Sequence, residues 1–390
     1  MMNTSRPSEP IAIGTLFSET GGTARVESSL TRAAVLAAEQ INAAGGLLDR
    51  ELRIISRDPQ SVPRLYRKHA EEMLAGEGIR YIFGCYTSAC RKAVLPAVER
   101  LGGLLFFPTF YEGFEFSQNC IYSGCAPNQN ITLMLRYMLK SHGRRFYLVG
   151  SNYVFPYETN RIVRDYVSMN GGEVVEERYV PMAPAVEQID RILDEIAADP
   201  DVLVISTLVG DNILPFYSGY RRRGIDPWQR PIASTVTSEA EIAAMDPRDA
   251  AGHISSAPYF QSITSAENRA FLSAYARRFG SAEGVCSTTE AVYLQMHLFA
   301  QAVGRCGSLD PDAVRSALPD QPFPAPQGLV GIDRATQHTV LWPRVGRVGN
   351  DGQFRIVVDA PAAVSPDPYM ITPEDDLRSH ADQETGDVIR

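Results

Sequence analysis

Four short runs gather hydroxyls and aromatic rings where an apolar strand gives way to a helix. In Tyr81-Ile82-Phe83-Gly84-Cys85-Tyr86-Thr87-Ser88 the strand ends at Gly84 and a helix begins near Ser88. A serine there can cap the helix, or it can meet a ligand beside the free N–H groups and positive end of that helix. The run Phe106-Phe107-Pro108-Thr109-Phe110-Tyr111-Glu112-Gly113 ends a strand on rings and a threonine; taken alone, it reads as core more readily than as pocket. Ser151-Asn152-Tyr153-Val154-Phe155-Pro156 and Ser234-Thr235-Val236-Thr237-Ser238 fit turn and capping chemistry as well as ligand contact. Brought to one cleft, these groups would offer donors, acceptors and apolar walls without a charge, which suits a small neutral polar molecule.

Other chemistry finds little support. The sequence holds no Gly-x-Ser-x-Gly elbow, Walker phosphate loop, His-Glu-x-x-His or Gly-x-Gly-x-x-Gly after a strand. Gly346, Gly349 and Gly352 are evenly spaced but fall in a turn region. Cys85/Cys90 and Cys120/Cys125 share a spacing that invites a zinc reading, yet no further Cys or His stands at a matching offset. We read all six cysteines as reduced structural thiols and expect neither metal nor cofactor. His297, among Leu294, Met296 and Phe299, reads as a packing residue. An enzyme using Cys85 or Ser88 as nucleophile would need a paired base, and none is near in sequence. We expect no catalytic residue.

The elements that must position these runs alternate from end to end. Apolar strands at 11–17, 52–56, 79–84 and 104–108 are separated by helical patterns at 26–42, 63–74 and 88–100. Beyond Pro127 the rhythm resumes, with helices at 130–140, 159–169, 186–197 and 212–222 and strands at 146–151, 173–179, 202–207, 231–234 and 254–259. Repeated β-α units imply parallel sheets covered by helices on both faces. Roughly ten units exceed one compact sheet, so the fold class is α/β with two doubly wound lobes, whose strand ends at the carboxyl side would face one cleft. Segments 265–279 and 287–304 read as consecutive helices. His338–Val345 and Gln353–Val358 around Gly349-Asn350-Asp351-Gly352 read as an antiparallel hairpin. The tail from Pro373 is acidic and polar, and we expect it loosely ordered.

The chain carries 46 Asp and Glu against 37 Lys and Arg, and its densest basic runs are Arg144-Arg145 and Arg221-Arg222-Arg223. Direct nucleic-acid binding would need a concentrated basic patch. The first ten residues contain no apolar run of the kind a secretory signal needs, and no window reaches a membrane span, so we expect a cytoplasmic protein.

At these residues the chain resembles the type I periplasmic-binding-protein family, and within it the cytoplasmic amide sensors that regulate aliphatic amidase operons. The resemblance covers nearly the whole chain. It is carried by Ile13-Gly14-Thr15-Leu16-Phe17-Ser18-Glu19-Thr20-Gly21 and by the helix closing at Glu39-Gln40-Ile41-Asn42-Ala43-Ala44-Gly45-Gly46. More particular to the amide and urea branch are Gly84-Cys85-Tyr86 with Arg91-Lys92-Ala93-Val94, and Pro108-Thr109 with Tyr111-Glu112-Gly113-Phe114-Glu115. Ala126-Pro127-Asn128-Gln129-Asn130 and Thr237-Ser238-Glu239-Ala240-Glu241 also match.

The resemblance implies a clamshell with three crossovers near residues 124, 261 and 336. One lobe would comprise 1–124 with 261–336 and the other 125–260 with 337–390. It implies a short aliphatic amide, or a urea-like molecule, held between them by Tyr86, Ser88, Thr109, Tyr153 and Thr237. Phe107, Phe155 and Val236 fall at binding positions where the pattern implies two tyrosines and a threonine, and Phe110 replaces a smaller proline, so the cleft is expected to be less polar. The implied partner is an RNA-binding antitermination protein, and a homo-oligomer is compatible with the sequence. The alternative is the substrate-binding protein of an ABC importer for urea, amides or branched-chain amino acids.

Overall fold

The computed structural model describes residues 9–320 and 322–370. Its strands form where branched and aromatic residues run together. The first sheet contains β1 (Ile11–Leu16), β2 (Leu52–Arg57), β3 (Tyr81–Gly84), β4 (Leu104–Phe107) and β5 (Cys120–Tyr122), in the order β2-β1-β3-β4-β5 with every pair parallel. Every residue of β3 and β4 is buried, because helices cover both faces. On one side pack helices Ala24–Ala43 and Ser287–Cys306; on the other pack Pro63–Glu71 and Ser88–Arg100.

The second sheet follows the same logic. It is built from β6 (Arg145–Ser151), β7 (Glu173–Val180), β8 (Leu203–Thr207), β9 (Ile232–Ser234) and β10 (Ile254–Ala257). After β11 (Phe323–Ala325), β12 (Gly328–Ile332) and β13 (Thr339–Val340) form a small antiparallel ribbon, β14 (Arg344–Val348) and β15 (Phe354–Asp359) extend this sheet as an antiparallel edge. The order is β15-β14-β10-β9-β8-β6-β7. The chain thus leaves the first sheet after Tyr122, returns to its helices at Ala266–Phe279, and crosses back through the ribbon. The fold is a two-lobed α/β arrangement of parallel sheets. No described helix is long and apolar enough to cross a membrane.

Several elements depart from the sequence reading. The strand β5 and the ribbon strands β11 and β12 went unread: each has three to five residues, too few to show a period. The predicted strand His338–Val345 splits in two around Leu341-Trp342-Pro343, since Pro343 has no N–H for a ladder, and Trp342 Nε1 donates to the Leu329 carbonyl at 2.9 Å instead. The helix expected from Thr159 begins at Val154. Pro156 reads as a break, but in a first turn its missing N–H has no helical partner to lose. The helix expected to reach Leu74 ends at Glu71 and passes into a wider π turn at Glu72–Gly76. The acidic tail from Pro373 lies outside the described residues.

Candidate functional site

In each sheet the chain winds one way from one central strand and the other way from its neighbour. The reversal falls between β1 and β3 in the first sheet and between β6 and β8 in the second. At such a switch point the loops leave in opposite directions and open a crevice outside the carboxyl ends of the strands. The two crevices face each other. Tyr86 and Ser88 follow β3, Thr109 and Phe110 follow β4, Tyr153 and Phe155 follow β6, Val209 follows β8 and Val236 follows β9; together these eight line one narrow cleft. An adjoining recess adds Thr235, Thr237, Ser255 and Ser256 from the second sheet and Cys286, Ser287 and Thr288 from the start of a returning helix.

Tight local geometry sets the first corner. Gly84 sits against β1, where a side-chain carbon would lie 2.7 Å from the Leu16 carbonyl oxygen. Cys85 then adopts a left-handed conformation, φ +67°, with its N–H donating to the same carbonyl at 3.1 Å. That turn throws Tyr86 toward the cleft. The helix cap is Thr87, whose Oγ1 accepts from the Cys90 N–H at 3.3 Å, rather than Ser88 as the sequence suggested. Ser88 is the first helical residue, so its hydroxyl is released from capping. It donates to the Glu112 carboxylate and accepts from Arg91 Nη1 at 3.3 Å.

Behind Ser88 lies a buried ionic cluster. Arg91, with no exposed surface, donates to Glu115 at 2.6 Å and to Glu112 at 3.2 Å, and its guanidinium lies 4.7 Å from the Phe107 ring centre and 4.6 Å from that of Tyr111. Burial opposes the Glu115 charge, but Arg91 and Lys92 outweigh it and hold the carboxyl at about 2. Here one sequence expectation is corrected. Phe107 does not line the cleft. As the last residue of β4 it points into the helix layer, packs edge-on to Tyr111 at 6.4 Å and stacks under Arg91. Tyr86, Ser88, Thr109, Tyr153, Phe155 and Val236 do meet in the cleft, and Thr237 lies in the adjoining recess.

The cleft walls are uncharged. Phe110 and Phe155, one from each lobe, approach to 5.9 Å between ring centres, and Tyr153 lies 6.2 Å from Phe155. Burial holds the Tyr86 and Tyr153 phenols far above their usual range, so both stay neutral. The Thr109 and Thr235 hydroxyls are buried with no protein partner. Buried polar atoms are almost always paired, so orphans that line a crevice mark where a ligand would complete the set. Thr237 is fixed instead: its hydroxyl accepts from Tyr217 at 3.0 Å and its N–H donates to Ser234 Oγ at 2.9 Å.

Glu239, at the recess, is raised to about 8 by burial, against the pull of the Gln261 N–H, which donates to it at 2.9 Å. Burial disfavours the thiolate of the two cysteines nearest the cleft corner: it pushes Cys85 well above its usual value and Cys90 up to about 12. Among the described residues, no group of three or more His, Cys, Asp and Glu is placed to hold a metal ion. Sequence reasoning missed Val209, Ser255, Ser256, Ser287 and Thr288 as lining. Only the hydroxyl run Ser287-Thr288-Thr289 at a helix start offered a signal.

Comparison with known proteins agrees with this geometry. Across 323 residues the chain is 23% identical to Leu/Ile/Val-binding protein homolog 6 of Brucella suis, covering 78% of this chain and 80% of that one. A 126-residue segment is 30% identical to limonene hydroxylase of Geobacillus stearothermophilus, but it covers 32% of this chain and 23% of that protein. The fold superposes on the solute binding protein of an ABC transporter from Rhodopseudomonas palustris in complex with p-hydroxybenzoic acid, with a TM-score of 0.83, 19% identity, and coverage of 93% of this chain and 99% of that one. Two facing switch-point crevices and a match to the family profile for a periplasmic binding protein domain over residues 11–375 lead to one assignment: the chain belongs to the periplasmic binding protein family.

Proposed function

We propose that this protein is the solute-binding component of an ABC-type importer, holding a small neutral polar molecule, a urea or short aliphatic amide, between two lobes. In this reading the described residues fall into lobes 9–124 with 261–336 and 125–260 with 337–370, hinged at the crossovers. The reading rests on one observation. The cleft wall combines Ser88, Thr109, Tyr86 and Tyr153 with Phe110, Phe155, Val209 and Val236 and includes no charged side chain. A free branched-chain amino acid would bury an ammonium and a carboxylate there without counter-charges, which is unfavourable by several kcal/mol. An amide fits because it pairs N–H donors with a carbonyl acceptor and carries no net charge. The related binding proteins support a carrier role, and we read the protein as a binder rather than an enzyme.

A second reading, a cytoplasmic sensor of the same ligand that controls an RNA-binding antitermination partner, draws support from the six cysteines. All are unpaired and five are buried, a pattern suited to a reducing compartment. Thermal shift of the purified protein against urea, short amides, benzoates and leucine tests the ligand class, because a molecule that binds only the folded state raises the melting temperature by mass action. Stabilisation by leucine but not by any amide refutes the neutral-ligand reading. Amide-dependent release of a co-purified RNA-binding protein would favour the sensor over the importer.

A further inference from the structure

Three side-chain clusters could carry further chemistry. One is the basic groove of Arg64, Arg67, Lys92 and Arg100 between two outer helices, where Lys92 and Arg100 already face carboxylates. Another is the buried Glu27 cluster with Ser18 and Tyr66, in which each hydroxyl already has a partner. The third is the Ser88–Glu112–Arg91 arrangement, which touches the cleft directly and reaches furthest.

We propose that Glu112, which does not line the cleft, sets the hydrogen-bond polarity of the site, so that it takes a carboxamide or urea and rejects the carboxylate of the same size. This deepens the reading of a small-ligand receptor and rests on it. A serine hydroxyl has one proton and two lone pairs. The Ser88 proton is committed to the Glu112 carboxylate, which pairs with Arg91 and can only accept; one lone pair takes the Arg91 N–H at 3.3 Å. What Ser88 presents to the cleft is therefore a single acceptor. Beside it, the first two N–H groups of the helix Ser88–Arg100, those of Ser88 and Ala89, are donors with no helical partner, while the third, that of Cys90, is taken by Thr87.

An acceptor next to donors matches the N–H and carbonyl edge of an amide. A carboxylate presents two acceptors, and one of them would meet the Ser88 lone pair. A site built for one hydrogen-bond pattern rejects the analogue with the opposite pattern strongly, because a buried group is left unpaired. Glu112 is thus a positioning residue that acts on the ligand through Ser88.

Glu112→Gln tests this. Glutamine can donate as well as accept, so Ser88 becomes free to turn its proton into the cleft. Calorimetric titration of the full chain with acetamide and acetate, and with propionamide and propionate, gives the amide-to-acid affinity ratio. We expect a wild-type ratio above about tenfold, and a fall of at least about tenfold in Glu112→Gln. Glu115→Gln removes one charge from the same cluster but leaves the Ser88 proton on Glu112, and its ratio should move less than about threefold. Equal shifts in both variants would mean that net charge, not polarity, governs selection, and would overturn the proposal; so would an unchanged ratio in a folded Glu112→Gln.

If Glu112→Gln does not fold, Ser88→Ala serves in its place. It removes the acceptor and should lower the amide-to-acid ratio, and a retained ratio overturns the proposal. If the wild-type chain binds neither amide nor acid, the receptor reading fails. The Ser88–Glu112 bond is then judged alone, by a double-mutant cycle of Ser88→Ala and Glu112→Gln in urea unfolding, where strict additivity overturns it.

Discussion

Replacing Arg91 by leucine tests whether the ion cluster behind the cleft holds this part of the first lobe. The guanidinium is fully buried and donates to Glu115 at 2.6 Å, to Glu112 at 3.2 Å and to Ser88 at 3.3 Å. Leucine keeps apolar contact with Phe107 and Tyr111 but leaves the Glu112 side chain, 3% exposed, without its buried cation. Lys92, 43% exposed, stays 2.9 Å from Glu115 and 3.7 Å from Glu112, so Glu115 keeps a close partner and Glu112 only a distant one. Removing one member of a buried pair destabilises by about 3–5 kcal/mol, and with Lys92 in place we expect the lower end, about 3 kcal/mol.

A folded protein holds about 5–15 kcal/mol in all, so the variant should still fold. In urea, with a slope of about 3 kcal/mol per M, its midpoint should fall by about 1 M. The double variant Arg91→Leu with Glu112→Leu removes both charges and should recover at least half of that loss, because an apolar pair in place of a buried ion pair is close to neutral. A single-variant loss below about 1 kcal/mol, or a double variant less stable than the single, refutes the reasoning.

Stability should also depend on pH on both sides of a plateau. Burial lowers His253, His297 and His338 to about 3, 4 and 4 from 6.5, so the unfolded chain binds more protons there and stability is lost as pH falls from about 6.5 toward 4. Burial raises Glu27, Glu239 and Glu290 to about 7, 8 and 8 from 4.5, so the folded chain binds more protons and stability is lost as pH rises from about 4.5 toward 8. The opposed slopes overlap between about 4.5 and 6.5; a melting-temperature maximum above pH 8 would contradict this. Thr87→Ala should lose about 1 kcal/mol by calorimetry as the true helix cap, whereas Ser88→Ala should leave the cap intact. Gly124→Ala places a carbon 2.1 Å from the Thr109 carbonyl carbon and should destabilise by about 1–3 kcal/mol, and a neutral effect would mean that the loop moves freely. Affinity should rise by about 0.8 kcal/mol from acetamide to propionamide and stop rising once the chain meets Phe110, as titration across butyramide would reveal.

Much of the architecture is readable in the chain because it is local. The helix Ser88–Arg100 was placed at its observed limits, and the alternation of apolar runs with helical patterns identified two doubly wound sheets. The hydroxyl and aromatic corners were found because a strand, a turn and a helix start are each written within a few consecutive residues. Short elements such as Cys120–Tyr122 escaped for the same reason, since three residues carry no period.

What those corners do was settled elsewhere. Phe107 looks like its neighbours in sequence, yet the orientation of one strand residue turned it into the core beneath Arg91, while Val209 came into the cleft from the loop after β8 and Ser255 into its recess from β10. Ser88 could be recognised as a hydroxyl beside a helix start, but its role depends on Glu112, 24 residues away, which takes its proton. Composition and spacing show which side chains have donors and acceptors. Which way a hydroxyl points, and whether a carboxylate is buried against a guanidinium, depends on groups brought together from distant parts of the chain, because hydrogen-bond direction and desolvation belong to the packed neighbourhood and not to the residue.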